Sequence, residues 1–194
     1  MTFIKGQLCE LRALDPDDEM QVGSFTEAVN AGLTTKHLFT GSIPMRTKDY
    51  AAKWVQELKA GEILFGIWST AKADGGNPQG PFFIGTCGLH SHKDIYKSWE
   101  FRILIFDPAF LGKGIGTEAT RLTTDYAFYR LNAHRVWLGV NAQNTGAVKC
   151  YEKVGYKLEG VLRDEIFCYG HYCDALRYAI LEDEWKSLSS DQAR

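Results

Sequence analysis

Hydrophobic and polar positions recur along this chain at periods that separate helices from strands. In TKDYAAKWVQELKAG (47–61), Tyr50, Trp54, Val55 and Leu58 are spaced by one, three and four residues and so share one helical face, and Gly61 stands where a helix would stop. TEATRLTTDYAFYRLN (117–132) repeats Ala119, Leu122, Tyr126 and Tyr129 in steps of three and four, which predicts a second helix. NTGAVKCYEKVGY (144–156) opens on Asn144, a capping residue, and closes on Gly155, so it reads as a short helix. DPDDEMQVGSFTEAVNA (15–31) begins with acidic capping residues and reads as a further helix start.

Between these lie runs rich in apolar and aromatic residues, as strands require. They are GQLCELRAL (6–14), EILFGIWST (62–70), FFIGTCGLH (82–90), SWEFRILIF (98–106) and HRVWLGV (134–140). A last pair of strands, 156–170 and 171–185, meets at Gly170. AKADGGNPQGP (71–81) carries Gly-Gly and Asn-Pro and reads as a hairpin tip between two strands. The order β-α-α-β-β-β-α-β-α-β-β mixes hairpins with two βαβ-like crossings, which predicts one mixed α/β sheet with helices on its faces. No internal repeat interrupts this order, and a length of 194 residues fits one domain, 1–194.

Composition narrows the function. Hydrophobic residues make up 45% and charged residues 24%, the balance of a soluble globular protein. A net charge of −2 offers no basic field for nucleic acid, whereas a mildly acidic surface fits a cationic small substrate. No apolar run approaches the ~20 residues of a membrane helix, and MTFIKGQLCELRAL has no apolar signal core. Five scattered cysteines, an odd number, read as reduced thiols of a cytoplasmic protein. Cys168 and Cys173 lack a second pair at zinc spacing, and His90 and His92 lack a third ligand, so no metal is expected. Trp54, Trp68 and Trp185 read as core.

FLGKGIGTEAT (110–120) is the most unusual stretch, with three glycines in five positions beside Lys113. A glycine loop that runs into a helix presents bare backbone N–H groups and the positive end of the helix dipole, an anion site. A Walker loop would need Gly where Asp107 stands and Ser or Thr where Gly114 stands. The dinucleotide pattern G-x-G-x-x-A is present at Gly114, Gly116 and Ala119, yet DPAFL separates it from its strand and no acidic residue stands near Val140.

The stretch WEFRILIFDPAFLGKGIGTEATRLTTDYAF, followed by RVWLGVNAQNTGAVKCYEKVGYKLEGVLRD, resembles the GNAT acetyltransferases, in particular their ribosomal-protein and small-amine N-acetyltransferase branch. The resemblance extends from about residue 97 to 185, with ELRALDPDD similar to the family's opening strand. The family's loop, Arg/Gln-x-x-Gly-x-Gly/Ala, falls on Leu111–Gly116 and departs at Leu111, where Arg or Gln is usual. A cradle that works through backbone groups tolerates that change. The resemblance implies the GNAT fold, a central mixed and mostly antiparallel sheet flanked by helices. It also implies acetyl-CoA as acyl donor, with no metal. Its diphosphate would rest on Leu111, Gly112, Lys113, Gly114, Ile115, Gly116 and Thr117, and its pantetheine would run beside Ile105 and Phe106.

Acyl transfer to an amine needs a neutral nitrogen, and an alkylamine has a pKa near ~10.4, so a base or a water chain must take a proton. The departing thiolate gains from an acid. Tyr151 lies seven residues after Asn144, two turns on the same helical side. By itself Tyr151 reads as a core tyrosine, spaced with Ala147 and Val154; the resemblance makes it the general acid beside the sulfur. It also makes Asn144, a cap by position, a contact of the cofactor or of water. Glu100, on the strand face of Arg102 and Leu104, is the candidate base, directly or through ordered water; the alternative is a carboxylate paired with Arg102.

The acceptor is then a protein N-terminal amine, a polyamine, an amino sugar or an aminoglycoside. Residues 31–50, 91–98 and 167–172 are expected to wall its site; His171, in the last hairpin, reads either as a substrate contact or as a polar residue of the strand end. The chain is expected to be a monomer or homodimer. Two other classes stay open: a non-catalytic acyl-CoA-binding module and a nicotinamide-dependent oxidoreductase.

Overall fold

The computed structural model describes residues 2–30, 47–70, 81–168 and 170–192. The hairpin tip expected at 71–81 and the acceptor wall expected at 31–50 fall largely outside them. Eight strands form one sheet: β1 (Thr2–Lys5), β2 (Cys9–Ala13), β3 (Ile63–Ser69), β4 (Phe82–Lys93), β5 (Ser98–Ile105), β6 (Arg135–Asn141), β7 (Lys157–Cys168) and β8 (His171–Leu181). Their spatial order is β1-β2-β3-β4-β5-β6-β8-β7. Every neighbouring pair is antiparallel except β5 with β6. The expected mixed, mostly antiparallel α/β sheet is therefore observed.

Helices cover both faces. α1 (Glu19–Asn30) and α2 (Thr47–Lys59) close one face, where Val22, Val29, Tyr50 and Trp54 pack on Leu64, Phe83 and Leu104. α3 (Ile115–Arg130), α4 (Thr145–Val154) and α5 (Glu182–Gln192) cover the other. There, Val136, Leu138 and Val140 alternate along β6 into a core shared with Ala119, Val154 and Trp185.

The helices differ from the periodic reading in instructive ways. In α2, Tyr50 and Trp54 are buried as expected, while Leu58 is exposed. In α3, Tyr129 is exposed, and the buried face instead runs through Thr120, Thr123, Thr124, Ala127 and Phe128. The three threonine hydroxyls donate to the carbonyls of Gly116, Ala119 and Thr120 at 2.7, 2.8 and 2.8 Å. Each polar group is satisfied within its own helix, so threonine serves there as a compact β-branched core residue. β8 ends at Leu181, and the expected strand end at 182–185 is the start of α5. Glu184 Oε2 accepts the Leu181 N–H at 2.9 Å, and three acidic residues occupy the first turn of α5. Trp185, buried as expected, donates Nε1–H to Asp125 at 2.9 Å. Trp68 is half-buried, with the Arg12 guanidinium 4.5 Å from its ring.

The strand expected over 6–14 is a hairpin, β1 and β2 joined through Gly6–Leu8. One side chain from α3 fixes that turn: the Glu118 carboxylate accepts the N–H groups of Gln7, Leu8 and Cys9 at 2.9, 2.7 and 2.8 Å. A side chain at Gly6 would stand 2.5 Å from Glu118 Oε2. Because Glu118 sits four residues after Gly114, it ties the sheet edge to the start of α3. Glu118→Ala is expected to cost about 2 kcal/mol in a denaturant titration, less than three charge-assisted bonds because water reaches the turn.

Candidate active site

β5 and β6 pair only at Ser98↔Arg135, Trp99↔Val136 and Glu100↔Trp137, although both strands continue. Beyond Glu100 they diverge, and no described strand takes up that edge of β5. The chain leaves β5 through a 3-10 turn at Pro108–Phe110, where Asp107 Oδ1 accepts the Ala109 N–H at 2.9 Å. The glycine turn follows. Gly112 and Gly114 have φ of +72° and +84°, a region that disfavours any side chain.

α3 begins at Ile115, two residues earlier than its periodicity suggests. Its N-cap is Gly114, which supplies no side-chain acceptor. The first intrahelical bond in that turn is Glu118 N–H to Gly114 O, 3.0 Å. The N–H groups of Ile115, Gly116 and Thr117 thus have no partner within the helix, and they stand at its positive end. Gly116 is helical, and a β-carbon there would meet nothing nearer than Ile105 Cδ1 at 3.4 Å. The protein's own packing does not demand glycine at 116.

A cavity of about 510 Å³ opens over this turn. Ile105, Leu111, Gly112, Gly114, Gly116 and Thr117 line it on one side, and Asn144 and Tyr151 on the α4 side. Three further residues expected at the site lie outside the lining. Phe106 packs on Phe83 with ring centroids 5.2 Å apart, the Lys113 ammonium is 5.9 Å from the Phe110 ring centre, and Ile115 is in the core. The cavity also takes Gly146, Lys149, Cys150 and Lys153, which the sequence reading passed over. Their spacing of three, one and three residues marks one face of α4, so helical periodicity would have found them. Lys149 and Lys153 bring two cations to the cavity that holds the α3 N-terminus.

Asn144 caps α4 as expected, its Oδ1 accepting the Ala147 N–H at 3.2 Å. Gly155 ends the helix at φ +112°. Tyr151 is 7% exposed, its ring edge-on to Phe101 at 6.4 Å. Its hydroxyl has no hydrogen-bond partner among the described residues, yet it is not sealed from the cavity. Burial, helped by Cys150, pushes the phenol above its usual pKa, so it keeps its proton. Tyr156 differs: its hydroxyl pairs with Thr124 Oγ1 at 2.7 Å and serves the core.

A second cavity, about 300 Å³, lies on the opposite face under α1 and α2. Its lining shares Ile103 and Leu104 with the first. Phe25, Tyr50 and Trp54 give it an aromatic wall; Lys53, Glu57, His90 and Arg102 add charge and polarity. Glu100 lies outside both linings; its carboxylate accepts from Arg102 Nη2 at 2.8 Å, and both project from one face of β5. Burial lowers the Arg102 pKa, but Glu100, Glu57 and Glu62 outweigh it and raise it overall. Burial raises the Glu57 pKa, against Lys53 and Arg102. His171 is exposed, with Nε2 3.5 Å from Gln143 Nε2. Among the described residues no group of three His, Cys, Asp or Glu side chains could hold a metal, and no helix is long and apolar enough to cross a membrane.

Residues 9–157 match the acetyltransferase (GNAT) domain family. A spermidine N(1)-acetyltransferase of Escherichia coli is 36% identical over 91 residues, 47% of this chain and 48% of that protein. The chain therefore spans about half the length of that curated relative. A solved spermidine N-acetyltransferase from Vibrio cholerae, in complex with CoA and spermine, superposes with a TM-score of 0.76 at 26% identity, covering 93% of this chain and 99% of that one. A ribosomal L7/L12 α-N-protein acetyltransferase in complex with coenzyme A shares the fold, with a TM-score of 0.76 at 16% identity over 92% of this chain and 97% of that one. With a family match over 149 of 194 residues and the divergent β5–β6 pair leading into a glycine turn, the chain belongs to the GNAT acetyltransferase family.

Proposed function

We propose that this chain, as one domain, is an acetyl-CoA-dependent N-acetyltransferase that passes acetyl directly to a primary amine. One observation carries the reading: two cavities on opposite faces of the sheet share Ile103 and Leu104 in their linings, beside the opening between β5 and β6. The larger suits the donor. First-turn N–H groups of α3, with Lys149 and Lys153, would hold the diphosphate. The open edge of β5 offers backbone partners to the amides of the pantetheine arm. That path ends near Tyr151, which gives its proton to the departing sulfur.

The smaller cavity suits the acceptor. Its aromatic wall and the Glu57 carboxylate in its lining, with Glu62 and Glu100 offsetting the Arg102 charge from outside it, favour a cation with an alkyl chain. Among the acceptors that the sequence leaves open, a polyamine fits this lining best, in keeping with the polyamine-acetylating relatives. Thiol release with acetyl-CoA over a panel of spermidine, amino sugars and an N-terminal peptide, with mass spectrometry of the product, tests this. Acetylated spermidine is the expected product. Tight acetyl-CoA binding without amine-dependent thiol release would establish a binding module instead, and saturable binding of a reduced nicotinamide dinucleotide would establish an oxidoreductase.

A further inference from the structure

The larger cavity carries more positive charge than a diphosphate alone requires. The first-turn N–H groups and the positive end of α3 already suit a diphosphate. Lys149 and Lys153 add two full charges to the same lining, and among the described residues no carboxylate enters it. A helix turns about 100° per residue, so each lysine projects about 200° from Tyr151. Tyr151 and Val154 form the buried side of α4, and the lysines stand one turn apart on its exposed side. Cys150, on the flank between these two sides, takes a hydrogen bond at Sγ from Thr117 Oγ1 at 3.4 Å. That bond holds this part of α4 against the first turn of α3. The lysines therefore rim the outer side of the opening, away from Tyr151.

The fold makes no use of these two ammonium groups. Neither forms a hydrogen bond or ion pair with a described residue, whereas the next two lysines along the chain, Lys157 and Lys186, are held by Glu184 and Glu182. Glu152, the nearest carboxylate in sequence, accepts the Tyr178 hydroxyl at 2.9 Å. Like charges one turn apart destabilise a helix, and nothing among the described residues offsets that. Lys113 stands beside Phe110, outside the lining.

We propose that Lys149 and Lys153 reach past the diphosphate to the ribose 3′-phosphate of the acyl donor and make the enzyme selective for it; the assignment rests on the acetyltransferase reading. In acetyl-CoA the thioester and the 3′-phosphate lie on opposite sides of the diphosphate. With the thioester at Tyr151 and the diphosphate at the α3 turn, the ribose leaves on the far side, over the lysine rim. A phosphate monoester there brings about −1.5 to −2 charge at pH 7 and three acceptor oxygens. Each ammonium answers with one charge and three donors, so the pair neutralises it. The mutual repulsion of the lysines is then offset only when the donor is bound.

The test is calorimetry of the full chain with coenzyme A and with 3′-dephospho-coenzyme A, repeated on the double variant Lys149→Gln/Lys153→Gln. The wild type is expected to bind coenzyme A about 30-fold more tightly, a preference that shrinks as salt is raised. The double variant is expected to bind the two ligands within about 3-fold of each other. Both lysines are exposed and without a described partner, so the variant is expected to melt as the wild type does. Equal affinity of the wild type for the two ligands overturns the assignment, and so does a double variant that keeps the wild-type ratio. If the double variant does not fold, Lys153→Gln alone decides by the same ratio. A chain that binds neither ligand overturns the assignment together with the donor site. A chain that shows the lysine-dependent preference yet releases no thiol with any amine sustains the assignment and defeats the acetyltransferase reading alone.

Discussion

Gly116→Val is expected to lose acetyl-CoA affinity by more than about 100-fold while the protein stays folded. The two halves of that statement have separate physical grounds. Gly116 has helical geometry, so a side chain meets no backbone penalty, and its β-carbon would touch only Ile105 Cδ1, at 3.4 Å. A branched side chain there would project into the cavity beside the first-turn N–H groups and fill the space the diphosphate needs. Gly114 is the poorer probe. Its φ of +84° and the approach of Leu8 Cδ1 to 3.3 Å mean that Gly114→Val would strain the turn as well as block it. Calorimetry with acetyl-CoA beside a thermal melt separates the effects. Wild-type affinity in a folded Gly116→Val protein would remove the diphosphate from this turn.

Tyr151→Phe comes second, with an expected fall of about 100-fold in kcat and little change in stability. The hydroxyl bonds no described residue, so its loss breaks nothing in the fold. The sign of the pH effect follows from burial. A raised phenol pKa keeps the acid protonated through neutral and mildly alkaline pH, so no loss of rate on the alkaline side is expected from this group there. Tyr156→Phe is the matched control: it removes the bond to Thr124, costs about 1 kcal/mol of stability, and leaves kcat near wild type. Equal kcat for wild type and Tyr151→Phe at every pH would show that the sulfur leaves without this proton.

Much of the site was legible because its signals are local. Asn144 and Gly155 bound α4 as their capping chemistry requires, and the glycines at 112 and 114 occupy positive φ, which few other residues tolerate. Two motifs in the right order carried the family. The second wall of the larger cavity is equally local in origin, since Gly146, Lys149, Cys150 and Lys153 fall on one face of α4 by helical spacing alone. Other features were out of reach. The turn at Gly6–Leu8 is set by Glu118, more than a hundred residues away, and no pattern within 6–14 announces it. The buried threonines of α3 look polar in sequence and are core in space, since each hydroxyl is satisfied by its own helix.

By itself, the sequence determined the order of most elements, the helix stops and the backbone shape of the glycine turn, because those depend on neighbours a few residues apart. Only the tertiary structure decided which residues face each other across the sheet. The pairing of β4 with β5 puts His90 beside Glu100 and Gly88 opposite Arg102, and the turn before β3 brings Glu62 to the imidazole. Where β5 and β6 part, Ile103 and Leu104 enter the linings of both cavities. Register and strand divergence are set by long-range pairing and by core packing on both faces, which periodicity along one segment does not encode.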